Sequence, residues 1–131
     1  EEDGDALLIQ QLLDALQMAR ADFTNSFRQL ANGETVSALA SWSPLWQDRL
    51  TRDPQSAEDR RLLMRSVNPA YIPRNHLVEE MIAAAIQHGD YTPFETMLRI
   101  LMNPYEEQPG AERYAAAPAP AEQVYRTFCG T

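Results

Sequence analysis

At 131 residues the chain is long enough for one ordinary core and too short for two large ones. With 44 % apolar and 23 % charged residues it falls among folded rather than disordered sequences. The net charge of -8 is shared by both halves, seven Arg against eleven acids in 1–67 and four against eight in 68–131, so neither half offers nucleic acid a basic footprint. All eleven cations are arginine, which excludes a phosphate-binding or Schiff-base lysine from this stretch, and a single cysteine excludes an internal disulfide.

No segment approaches the ~18 consecutive apolar residues of a membrane helix. The first residues, "EEDGDALL", are acidic where an export signal carries basic ones. A cytoplasmic protein with no membrane or nucleic-acid partner is therefore expected.

In chain order, "ALLIQQLLDALQMA" sets Leu8, Leu12, Ala15, Leu16 and Ala19 on one side of a helix, with Ile9 and Leu13 widening the stripe. "ADFTNSFRQLANG" spaces Phe23, Phe27 and Leu30 helically between a capping aspartate and Asn32-Gly33, as a second helix or a bent continuation of the first. Ser43-Pro44 reads as cap and first position of a third helix running to about Arg52, before Asp53-Pro54 stops it. Ser56 and Asp59 open a fourth, whose buried stripe is predicted to be Leu62, Leu63 and Val67.

Pro69 and Pro73 then restrict "NPAYIPRNH" to an ordered, non-helical connector. Asn75 is placed to cap "HLVEEMIAAAIQHG", with Leu77, Met81, Ala84, Ala85 and His88 on one face and Gly89 at its end. Thr92-Pro93-Phe94-Glu95 combines cap, proline and acid at the start of a sixth helix carrying Phe94, Met97, Leu98 and Leu101. The three residues between these two helices predict an antiparallel hairpin. Beyond Tyr105 the periodicity fades. The fold expected is all-α, about six helices in antiparallel hairpins, with a helical region over 1–105 and an extended tail over 106–131 that ends in the cysteine motif.

Few residues offer chemistry. His76 and His88 are about 18 Å apart along one predicted helix and cannot share an ion. His88 suits the negative end of the helix dipole, and Glu79-Glu80 the positive end, better than either suits catalysis. Trp42, Leu45 and Trp46 read as a core or docking cluster rather than a cofactor box. In the connector, Asn68, Tyr71, Arg74 and Asn75 are polar residues held by prolines. Structural duty is the favoured reading: Asn75 as a helix cap, Arg74 as a bridge to a carboxylate of a neighbouring element. No glycine-rich loop, serine nucleophile context or metal-ligand spacing occurs, so no catalytic, cofactor-binding or metal residue is assigned within the chain.

"VNPAYIPRNHLVEEMIAAAIQHGDYTPFETMLRILMNPYEEQP", the terminal "YRTFCGT" and the earlier "ADFTNSFRQL" together resemble the C-terminal region of the selenoprotein O family, in a bacterial, cysteine-containing form. The resemblance spans essentially the whole chain. It implies a parent protein with a kinase-like core, resembling a pseudokinase, that transfers AMP from ATP to hydroxyl groups of protein substrates with Mg2+ or Mn2+. On this reading the chain is the helical C-terminal part of a longer polypeptide, inactive alone, with "EEDGDALL" an arbitrary boundary and the core of the same polypeptide as its partner.

The resemblance also places a redox-active residue at Cys129, third from the end, able to pair with a cysteine of the core and restrain the enzyme. Gly130-Thr131 stands where the family more often has two serines. Sulfur in place of selenium gives a weaker thiolate at neutral pH, with Arg126 the one cation nearby. By its residues alone Cys129 reads first as a small hydrophobe in a tail docked through Tyr125 and Phe128, and the resemblance reverses that preference. The other function open to the sequence is a non-catalytic helical interaction module, binding through the Trp42/Trp46 region or the tail.

Overall fold

A computed structural model describes residues 2–123, and among these it contains helices and turns with no strand. The chain divides after Asn68 into two compact units.

The first unit holds α1 (Asp5–Met18), α2 (Phe23–Asn32), a 3-10 turn (Ser37–Leu39), α3 (Ser43–Leu50) and α4 (Ala57–Val67). α1 and α2 are separate helices. The break falls at Arg20, whose φ of 49° is left-handed, and the Ala21 N–H reaches back to the Leu16 carbonyl at 3.0 Å. Arg20 thus performs a stop usually given to glycine. The Asp22 carboxylate then accepts the Asn25 N–H at 2.8 Å to start α2, and Gly33 at φ 76° ends it.

The core of this unit is Leu12, Leu16, Val36, Leu39 and Trp42, with Phe27, Leu30 and Trp46 packed around it. Ile9 and Leu13, expected to widen the α1 stripe, lie at the surface. The Trp42 indole N–H donates to the Leu8 carbonyl at 2.9 Å, and its ring stacks on Trp46 with centroids 5.5 Å apart.

Ser56 caps α4 through the Asp59 N–H at 3.0 Å, as its sequence predicts. The predicted stripe is overturned: Leu62, Leu63 and Val67 are all more than half exposed. α4 instead turns Arg60, Met64 and Arg65 inward, and α2, against which it packs, buries Ser26, Arg28 and Ala31. The physical reason is Arg28. Its guanidinium donates to the carbonyls of Arg65 and Asn68, so the face of α4 that meets α2 is chosen by backbone acceptors near its C-terminus rather than by leucines.

The second unit holds α5 (Asn75–His88), α6 (Thr92–Leu101) and a single-turn α7 (Glu112–Ala115). Gly89, at φ 64°, closes α5, and α5 and α6 pack as the predicted hairpin. Two capping expectations shift by a residue or two. Asn75 is the first helical residue of α5, with Arg74 before it making no side-chain cap. At α6 the Asp90 carboxylate, not Thr92, takes the cap role, accepting the Thr92 N–H at 2.9 Å. These hydrogen bonds from Thr92 also lower the Asp90 pKa.

Ile100, at 1 % exposure, forms the centre of this unit with Ala70, Tyr71 and Ala111. Phe94 and Leu98, expected inside, are exposed, and so is His88. The covering layer comes from the connector and from residues 111–115, which meet α6 on the side of Ile100. The stretch 106–123, expected to be extended, contains α7 and a 3-10 turn at Pro120–Glu122. Residues 124–131 lie outside the described residues.

One ion pair joins the ends of two helices in the first unit. The Arg49 Nε donates to Asp5 Oδ1 at 2.7 Å, and this hydrogen bond is the main reason the Asp5 pKa falls from 3.8 to about 2. A carboxyl with a lowered folded pKa stabilises above its unfolded value and loses that contribution as pH falls through the folded one. Asp5→Asn is therefore expected to flatten the acid-induced loss of stability between about pH 4 and about pH 2, read as urea midpoints by circular dichroism at both ends of that window.

Candidate functional site

Tyr71 and Arg74 are buried polar-capable residues of the second unit that make long-range hydrogen bonds. The prolines hold the connector extended, which leaves its N–H groups without helical partners. Those of Ala70 and Tyr71 both find the Pro104 carbonyl, at 2.8 and 3.3 Å. The Tyr71 hydroxyl accepts the Gln108 N–H at 2.9 Å, while the Gln108 side chain donates to the carbonyls of Ile100 and Asn103 at 2.9 and 3.0 Å. Arg74, 7 % exposed, donates to the Ala115 carbonyl at 3.0 Å.

Asn68 belongs to the first unit. Its side chain donates to the Met64 carbonyl at 2.8 Å, and its own carbonyl accepts from Arg28 at 3.1 Å. Asn75 is exposed at the start of α5. Tyr71 and Arg74 are thus brought to one layer, whereas Asn68 bonds at the end of α4 and Asn75 lies exposed at the start of α5. Cys129 lies outside the described residues. Arg28 and Gln108 are the polar residues that sequence reading passed over. The signal for Gln108 was weak, a glutamine beside Pro109 in a run without periodicity.

The remaining candidates separate as well. Glu80 pairs with Arg113 of α7, and Glu79 is exposed. Trp42 is buried in the core, with Trp46 stacked on it. A cavity of about 220 Å³ opens beside Trp46, with Leu30, Leu39, Arg60, Arg61 and Met64 among its walls. Arg60 is held there by Asp53 at 3.2 Å. Among the described residues its walls hold no histidine or cysteine, and their hydroxyl and carboxylate groups are those of Thr35, Ser43 and Glu34. Among the described residues, no three His, Cys, Asp or Glu side chains converge to hold a metal ion, and no helix is long and apolar enough to cross a membrane.

Residues 1–102 match the family described as Protein adenylyltransferase SelO. Over its full length the chain is 47 % identical to Protein nucleotidyltransferase YdiU of Rhizobium johnstonii, and it covers 29 % of that protein. It is similarly 47 % identical to the YdiU protein of Rhizobium meliloti, covering 30 %, and 43 % identical to that of a Bradyrhizobium species, covering 29 %. The chain thus spans under a third of the length of the curated relatives it matches.

The hydroxyl of Tyr71 accepts the Gln108 N–H, so its loss leaves a part-buried N–H without that acceptor. Tyr71→Phe is expected to cost about 1–2 kcal/mol in urea unfolding followed by circular dichroism, although only one oxygen is removed.

Proposed function

The chain belongs to the SelO family of protein adenylyltransferases, and we propose that it is the C-terminal helical part of an enzyme that transfers AMP from ATP to hydroxyl groups of protein substrates in the bacterial cytoplasm. The observation that carries this reading is a match over the whole chain to nucleotidyltransferases more than three times its length. The described residues do not fit the nucleotide and metal. They include no lysine, no phosphate-cradling loop and no converging acidic cluster. ATP and Mg2+ or Mn2+ are therefore assigned to a kinase-like core in the remainder of the polypeptide, and this chain supplies a structural and regulatory part that is inactive alone.

Regulation is assigned to Cys129. Its thiolate would attack a small-molecule disulfide, and a core thiolate would then displace the small thiol from the mixed disulfide. The two electrons leave with the reduced small molecule, and a Cys129–core disulfide remains. A free-standing interaction module has less support, because Trp42, one of its candidate anchors, is 5 % exposed and spent on the core.

The full-length protein, given labelled ATP and Mg2+ or Mn2+ with a generic protein substrate, is expected to place AMP on protein. Transfer by residues 1–131 alone would contradict this division of labour. In the same full-length protein under disulfide stress, peptide mass spectrometry is expected to find Cys129 disulfide-bonded, and Cys129→Ser is expected to make activity insensitive to the oxidant. A Cys129 that stays a free thiol removes the switch.

A further inference from the structure

The hairpin of the second unit has an inside that is accounted for and an outside that is not. On α5, Glu80 faces α7 through Arg113. On α6, Ile100 faces the connector and Ala111. Each residue of a helix turns the next by about 100°, so Ile82 and Ile86 lie roughly 120–160° round α5 from Glu80, and Phe94, Leu98 and Met102 lie roughly 120–160° round α6 from Ile100. Both stripes therefore point away from the same layer and share one outer face. The five side chains are 42, 79, 45, 51 and 73 % exposed, in chain order.

At roughly half of ~200 Å² each, they leave on the order of 500 Å² of apolar side-chain surface on that side of the hairpin, in the range of the largest patches on lone soluble domains, which are often functional. The spacing is deliberate in helical terms. Positions 82 and 86 on α5, and 94, 98 and 102 on α6, each repeat at i, i+4, the pattern of a helix with something packed on it.

We propose that this face of α5 and α6 is the seat on which the preceding, kinase-like part of the same polypeptide packs. The inference rests on the function proposed above, and it names the surface that joins the two parts. The occupant follows from length: the relatives hold roughly seven-tenths of their chain outside the region matched here. A partner in the same polypeptide is present at every moment at high effective concentration, so the face is covered without recruiting a second molecule. The chain's net charge of -8 argues against the other large cellular surfaces, nucleic acid and anionic membrane.

The test uses the full-length protein in a Cys129→Ser background, with Ile86→Cys and Leu98→Cys introduced singly, one on each helix of the face. Maleimide labelling at each position is followed by peptide mass spectrometry, folded and in urea. Both sites are expected to label at least about tenfold more slowly in the folded protein, as covered side chains do. Rates in the folded protein that match those in urea overturn the proposal. Protection that vanishes on dilution together with a halving of the molecular mass assigns the face to a second copy and overturns it too. AMP transfer is measured on the same samples. Transfer with unprotected cysteines removes the seat and leaves the function standing. Protected cysteines in a protein that transfers no AMP keep the seat and remove the function.

Discussion

Carbonyls at helix ends and in connectors must be satisfied wherever they are shielded from water, and in both units that constraint decides which surfaces meet. Arg28 donates to the carbonyls of Arg65 and Asn68 and thereby chooses the face of α4 that meets α2. Trp42 donates to Leu8 and fixes the turn before α3 against α1. In the second unit Arg74 holds Ala115, Gln108 holds Ile100 and Asn103, and the Pro104 carbonyl takes two connector N–H groups. Apolar burial fills the spaces that these donors define. An arginine-only cation set suits this task, since a planar guanidinium offers several fixed donors where an ammonium offers a compact, strongly hydrated charge.

The same constraint explains which parts of the fold were legible in the sequence. Helix ends written in local chemistry were readable: Asp22 and Ser56 cap, Gly33 and Gly89 stop, and the prolines straighten the connector. Faces were less so. Period alone makes Leu62, Leu63 and Val67 a buried stripe, but a buried stripe needs a partner, and α2 presents Arg28 to the other side of α4. Phe94 and Leu98 fail for the same reason, because the covering layer reaches α6 over Ile100. The Arg20 stop is invisible locally, since nothing in an arginine announces a left-handed φ. α7 is too short to carry a period, and its neighbour Ala111 is buried through contacts that residues near in sequence do not record.

At the candidate site, residue types pointed to the connector, and the prolines explained why it would be ordered. The Gln108 N–H on the Tyr71 hydroxyl and the Ala115 carbonyl on Arg74 could not be read, because they are backbone groups 37 and 41 residues away, and a backbone group at long range leaves no mark in sequence. The chemistry of the family enters through likeness rather than through a constellation of side chains in the described residues. What this chain adds is shape: a locked connector, a hairpin, and an apolar outer face, the proposed seat for the rest of the polypeptide.

The division after Asn68 has an optical counterpart. Both tryptophans, Trp42 and Trp46, fall in the first unit, and all five tyrosines fall after residue 68. Indole emission excited beyond the phenol band therefore reports the first unit, with the stacked pair as its source, whereas the phenol part of the absorbance, once the overlapping indole band is separated from it, reports the residues after 68. One unlabelled sample followed at two wavelengths resolves whether the units melt together or in sequence, a separation that most small helical proteins require engineered probes to obtain.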